Sequence, residues 1–248
     1  MNVNDLLIAH GFTDLKAKNP YDDKIGAPGE RKLLKGTMDA GWFGEVASNE
    51  FISGDALASL LGITAGTSQY SNEPWLKFAY EGEVYLIAKK TFRHSISWDQ
   101  INAANAVYGD RKITIKGKSY EVMIPRGTGK DVQPNPKTMI AGYDGNANHK
   151  SMWNALMLPI HAKAPSSWAY PNNVKSPTDN WGCSYSDNDL QTNSSAGNGS
   201  YTWCQETVAN NASSRLVRGY SGVSFSTYPG SNDTSSNFGW RPCLKLIG

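Results

Sequence analysis

The chain has 248 residues and a formal net charge of +2, with 39% hydrophobic and 19% charged residues and a surplus of Gly (24), Tyr (12) and Trp (8). That length supports one large domain, or one domain with an appendage, around an ordinary core that needs neither metals nor disulfides. Scattered, nearly balanced charge argues against a nucleic-acid partner, and no run approaches the roughly 18 apolar residues of a membrane span.

The opening "MNVNDLLIAHGF" lacks the basic flank and long apolar run of a secretory leader, so a soluble protein made in the cytoplasm is expected. Residues 1–40 read as an extended N-terminal arm. "KNPYDDKIGAPGERK" is punctuated by Pro and Gly, and such an arm either docks on a neighbouring chain or frays. Residues 41–83 read as a small α/β lead-in. In it "ISGDALASLLGIT" is a short helix, with Ser53 as cap, Leu57, Leu60 and Leu61 as apolar face and Gly62 as stop. "WLKFAYEGEVYLIAKK" predicts a hairpin turning at "EGE", with Trp75, Phe78, Tyr80, Val84 and Leu86 on one buried face.

"HSISWDQINAANAVYG" predicts a second helix with a Ser97/Gln100 capping box, helical spacing from Trp98 to Tyr108 and Gly109 as its stop. "KITIKGKSYEVMIPRG" reads as a hairpin with "KGK" at its turn. "NHKSMWNALMLPI" reads as a third helix, with Trp153, Leu156 and Met157 on one face before Pro159. From about residue 165 charged residues thin to about half their earlier density, and Ser, Asn, Gly, Thr, Tyr and Trp take over. "YTWCQETV", "RLVRGYSGVSF" and "FGWRPCLKL" still read as strands. The polar stretches at 165–203 and 219–239 are long loops, too rich in aromatics to be linkers.

Catalytic signatures are missing: there is no GxSxG, no HExxH and no GxxxxGK followed by Ser or Thr. "PRGTGKD" lacks the spacing of a phosphate loop. His10, His94, His149 and His161 do not stand at ligand spacing, so neither a metal nor a cofactor is expected. "YDGNAN" and "SDNDLQTN" gather oxygen ligands off the EF-hand spacing, which leaves calcium as an open alternative. Glu81 with Glu83, and Asp187 with Asp189, read as solvated acids before catalytic ones. Cys183, Cys204 and Cys243 read as free thiols, with a single disulfide as the alternative. The reading is therefore not an enzyme.

What the composition does favour is recognition. Tyr and Trp give large contact area at low entropic cost, and Ser, Gly and Asn adapt their hydrogen bonds. The candidate contact residues are Trp168, Tyr170, Trp181, Tyr185, Tyr220, Phe225, Tyr228 and Asn232. Trp98, Trp153, Arg218, Trp240 and Arg241 are assigned to the structural core. At least one of the two arginines is expected to bridge buried carbonyls or an acid, since an unpaired buried guanidinium is too costly.

"ISWDQINAANAVYG", "YEVMIPRG", "MWNALM", "WCQET", "RLVRGYSGVSF" and "FGWRPCLKL", in that order, resemble the C-type-lectin-like fold in its formylglycine-generating-enzyme-like branch. That branch runs helix, "RLPT"-like strand, "EW"-type helix, an R-V-x-R-G-G-S-W strand and a final G-F-R. The resemblance covers roughly residues 84–248. It implies an α+β fold: a lectin-like domain with short helices and twisted antiparallel sheets behind the N-terminal arm. The copper-holding pair of the enzymes, C-x4-C, is absent here, because Cys183 and Cys204 lie 21 positions apart, so the oxidase chemistry does not carry over. The wording is also similar to virion proteins of tailed bacteriophages. This resemblance implies a structural protein of the virion, of tail-fibre or adhesin type, for attachment to a host glycan or outer-membrane protein. The arm would fix it to the particle or to its own copies, with a trimer favoured. The alternative implied is a capsid decoration, collar or neck and whisker protein that grips other virion subunits. An enzyme acting on surface polysaccharide ranks last, for want of an acid pair.

Overall fold

The computed structural model describes residues 26–128, 151–162, 181–208 and 211–248. Its first half is built around a hairpin, β4 (Trp75–Tyr80) and β5 (Glu83–Ala88), joined by Glu81 and Gly82, both at positive φ. Two successive positive-φ residues match the right-handed twist of the paired strands, which is why such a turn takes glycine. Before it come β1 (Lys35–Gly36), β2 (Ala40–Val46), α1 (Gly54–Leu61) and β3 (Thr67–Ser68). After it come β6 (Arg93–His94), α2 (Trp98–Ala103), β7 (Tyr108–Ile115), β8 (Lys118–Met123) and α3 (Met152–Met157). The C-terminal part supplies β9 (Tyr201–Val208), β10 (Asn211–Gly219), β11 (Ser226–Thr227), β12 (Phe238–Trp240) and β13 (Cys243–Leu246).

These strands make two sheets, ordered β1-β2-β4-β5-β13-β8-β7 and β11-β10-β9-β12-β6-β3. The first is antiparallel throughout, and the second is antiparallel except where β12 runs parallel to β9. The molecule is thus a sheet-rich α+β protein with three short helices among the described residues.

Side chains that alternate along β4 and β5 enter two different apolar clusters. Trp75, Ala79, Val84, Leu86 and Ala88 join one, with α1, α2 and the inner face of the second sheet. Leu76, Phe78, Tyr80, Tyr85 and Ile87 join the other, with α3, Trp181 and Val223. The hairpin was expected to bury one face, but it lies in the middle of a seven-stranded sheet covered on both sides. Lys77 is buried with it.

Local signals were read well where they are self-contained. Ser53 caps α1 and Gly62 stops it in the left-handed region, and the Ser97/Gln100 capping box opens α2; the cap of α3, Ser151, was not read. Other expectations need correction. Leu60 is 45% exposed, because α1 turns Leu57, Ala58 and Leu61 inward. Helix α2 ends at Ala103, Asn105 takes φ 55°, and Tyr108 and Gly109 begin β7 beside a bulge, so Gly109 is not a helix stop. "FGWRPCLKL" is not one strand. Arg241 and Pro242 interrupt it, Phe238–Trp240 lies in the second sheet and Cys243–Leu246 in the first.

The expected division between residues 83 and 84 falls inside β5, one residue past its turn from β4, its neighbour in the same sheet. Residues 1–25 of the expected arm lie outside the described residues. Its remainder is docked on the chain's own first sheet: β1 pairs with β2, and Lys77 Nζ donates to the carbonyls of Ala27 (3.1 Å) and Glu30 (2.6 Å). Cys183, Cys204 and Cys243 are all free.

Candidate functional site

The second sheet ends in a column of aromatic rings. Tyr201 opens β9, opposite Gly219 of β10 on one side and Phe238 of β12 on the other. With no side chain at Gly219, the ring of the next residue, Tyr220, lies over Tyr201, with centroids 4.3 Å apart and planes 6° from parallel. The column continues inward from Tyr201 to Phe238 (5.3 Å) and from Phe238 to Trp203 (4.8 Å), which is fully buried. Phe225 flanks Tyr201 at 6.4 Å and is 38% exposed. Each such pair contributes about 0.5–1.5 kcal/mol beyond its buried area. A column rooted in the core and ending in half-buried Tyr220 is a fixed platform on the surface.

The backbone at Tyr220 is itself unusual. It has φ 74°, directly after Gly219 at φ 100°. A bulky residue in that region is a true outlier, and such residues gather at binding and switch sites. Tyr70, at φ 47°, is a second. Both grip the same loop: Ser194 N–H donates to the Tyr220 carbonyl (2.7 Å), and Tyr70 Oη donates to the Ala196 carbonyl (3.2 Å).

That loop carries the polar half of the site. Asn193 caps the short 3-10 turn Ser194–Ala196, its Oδ1 accepting from Ser195 N–H at 3.0 Å. Ser195 Oγ donates to Asn188 Oδ1 (3.2 Å). Asn193 also pairs with Ser221, the residue after Tyr220, so platform and loop share a wall. On this wall opens a groove of about 210 Å³, lined by His161 and Ala162, by Ser186 to Asn188, and by Asn193 and Ser195.

Asp187 holds the groove together. Its Oδ1 accepts from Thr192 Oγ1 (2.7 Å) and Val223 N–H (2.8 Å) and stands 3.4 Å from His161 Nε2. Burial alone would raise its pKa, but these hydrogen bonds win and hold the carboxyl below the usual range. Asp189 Oδ2 accepts from the amide (2.8 Å) and hydroxyl (2.7 Å) of Ser186, which lower its pKa. Both acids are thus engaged by neighbouring groups of the chain. Among the described residues no group of three or more His, Cys, Asp or Glu could hold a metal.

The frame behind the site is fastened by the two arginines. Arg241 Nε donates to Thr202 Oγ1 (3.0 Å), Nη1 to the carbonyls of Ala88 (2.9 Å) and Lys89, and Nη2 to the Leu190 carbonyl. It thereby ties both sheets and the 181–199 loop together. Arg218 donates to Asn154 Oδ1 on α3, and both guanidinium groups lie against the Trp153 ring, at 5.9 Å and 5.6 Å. Trp153 in turn donates to the Val223 carbonyl (2.6 Å). Trp98 and Trp240 are buried as well.

The expected contact residues separate into groups. Tyr220 and Phe225 meet at the platform. Trp181, 6% exposed, packs against Phe78 in the core and is not a surface contact. Tyr185 is half-buried, its hydroxyl donating to Glu45 Oε1 (2.7 Å) while Lys89 lies over its ring. Tyr228 is half-buried beside β10. Asn232 is exposed near Ser213 and Asp99, at the end of β10 far from Tyr220. Trp168 and Tyr170 lie outside the described residues.

Sequence reading missed Tyr201, which it had absorbed into a core strand. Its position directly after the glycine-rich "GNGS" is the signal that a strand emerges there at the surface. It read Asn188 and Asn193 only as part of the oxygen-rich run "SDNDLQTN", and it passed over Ser195.

A larger hollow of about 330 Å³ lies between the C-terminal ends of α1 and α2, walled by Leu61–Ala65, Gln100, Ala103–Asn105 and Arg111. It contains none of the expected contacts. Comparison of the chain with protein-family models, curated proteins and solved structures gave no match.

Proposed function

We propose that this chain is a non-enzymatic attachment protein that binds through the Tyr220 end of its second sheet. The observation that carries the reading is the aromatic column that rises from buried Trp203 to a strained, half-exposed tyrosine. Rigid aromatic ends among Ser and Asn side chains are what a recognition surface is made of. A frame locked by Arg241 and Arg218 lets the loops between the strands vary without unmaking the core.

The setting comes from the resemblance of the ordered motifs. On that basis the domain is C-type-lectin-like and the protein is a tailed-bacteriophage virion component of tail-fibre or adhesin type, assembled as a homo-oligomer and presented to the host surface. Labelled protein incubated with bacterial cells tests the reading. Tyr220→Ala with Phe225→Ala removes the outer rings and leaves the buried base, so the fold is kept while adsorption drops at least tenfold. Unchanged adsorption removes the attachment role. If electron microscopy of particles then finds the platform seated on a neighbouring virion subunit, the decoration or collar reading takes its place.

A further inference from the structure

The ligand class can be narrowed, on the footing of the attachment reading above. We infer that the platform and groove together bind a neutral saccharide, one sugar ring stacking on the Tyr220 and Phe225 end and its hydroxyl groups bonding in the groove beside Asn188, Asn193 and Ser195.

Three observations converge. The first is the terminal ring. An aromatic face is electron-rich, and the polarised C–H bonds on one face of a pyranose meet it well. Tyr220 is the outermost ring of a column whose inner members cannot move aside, so it offers such a face at little entropic cost. The second is the donor and acceptor set. Asn188 and Asn193 are planar amides whose Oδ1 atoms accept from Ser195 and whose NH2 groups are donors, while the Ser186 and Ser195 hydroxyls, held as donors within the loop, keep lone pairs that accept. Adjacent sugar hydroxyls need that mixture. The groove's 210 Å³ is smaller than the roughly 300–1,000 Å³ of pockets for drug-sized ligands and suits about one ring.

The third is charge. An acidic sugar, a phosphate or a sulfate would need a cation, and the described residues near the groove offer none in reserve. Lys89 is paired with Glu45 (2.8 Å) and Lys90 with Glu73 (3.2 Å). Arg218 and Arg241 are buried and engaged behind the site. Asp187 is held by Thr192, Val223 and His161 and would itself repel an anion. A protein partner would be expected to meet a broader apolar surface than the rings of Phe225, Tyr220 and Tyr201 provide.

The test uses an array of neutral and acidic glycans, together with bacterial cells before and after periodate oxidation, which cleaves vicinal diols. The full-length chain is expected to bind neutral glycans on the array and to lose at least tenfold of its cell binding after periodate. Tyr220→Ala and Asn188→Ala should each weaken glycan binding at least tenfold. Tyr220→Phe, which keeps the ring, should retain it, and this separates a lost platform from a lost fold. Cell binding that periodate leaves intact overturns the saccharide and leaves attachment standing, with a protein receptor in its place. Binding confined to acidic glycans also overturns it. No binding to any cell overturns attachment itself.

Discussion

Lys77 lies in the middle of an otherwise apolar strand, fully buried, with Nζ on the Ala27 and Glu30 carbonyls and 5.0 Å from the centre of the Phe43 ring. Burial first, then the nearby Arg31 charge, bring its pKa down from 10.5 to about 8. Above about 8 the folded chain has released a proton that the unfolded chain still holds. Stability therefore rises with pH from about 8 towards 10, since it increases wherever the unfolded state binds more protons. Tyr80, Tyr85 and Tyr185 act oppositely. Burial raises all three above the ordinary tyrosine value of 10.0, so past that value the unfolded chain loses protons first and stability falls. The thiols of Cys183, Cys204 and Cys243, also raised by burial, lower stability over the same range, so the Lys77 contribution is read as a difference: in urea denaturation between pH 7.5 and 9.5 the native chain is expected to gain stability relative to Lys77→Met as pH rises. A difference that does not change with pH would place Lys77 in contact with water. None of this was readable in "WLKFAY", because a lysine in an alternating strand is read as pointing outward, and its partners lie 47 and 50 residues away.

At the scale of elements, what could be read was what is settled within a few residues. Ser53 and Gln100 satisfy amides three positions away, and "EGE" and "KGK" turn on a glycine at positive φ. The division of "FGWRPCLKL" between two sheets was not readable, because it depends on partners far off in the chain. Phe92 N–H donates to the Trp240 carbonyl, Ala88 N–H donates to the Pro242 carbonyl, and the guanidinium of Arg241 fills the gap between. The buried location of Arg241 could be argued from cost alone, but its role as the joint between the sheets could not. Arg241→Ala leaves the Ala88, Lys89 and Leu190 carbonyls without this donor. Each buried acceptor so stripped costs about 1–3 kcal/mol, so the variant should lose at least about 3 kcal/mol in a urea titration. Because Leu190 anchors the loop that bears Asn188 and Asn193, glycan or cell binding should weaken even below the unfolding midpoint. A loss under about 1 kcal/mol would mean that water replaces the guanidinium and the joint is not structural.

Taken as a whole, the molecule closes its first sheet with strands far apart in the chain. Strand β13 lies between β5 and β8, with Leu244 opposite Leu86 and Val122, so the first sheet closes only when the last strand arrives. Pairings of such separation are slow to form and leave no trace in local sequence pattern. The resemblance-based reading, which begins at residue 84, therefore cuts through a hairpin and runs Phe238–Trp240 and Cys243–Leu246 together as one element. A fragment of residues 84–248 tests whether that part is a unit. It would lack β4, which pairs with β5 from Trp75 opposite Ala88 to Tyr80 opposite Glu83, and with it Trp75, whose ring packs against Phe51 and Phe92. Strand β5 would then be an unpaired edge bearing Val84, Tyr85, Leu86 and Ile87, apolar on both faces, which is the pattern of an aggregating edge. The fragment is expected to be insoluble or to melt without a cooperative transition, whereas the full chain melts cooperatively in calorimetry. A fragment that melts cooperatively and binds cells as the full chain does would show that residues 84–248 form a domain by themselves. The strands of residues 40–80 would then be an accessory laid along its edge.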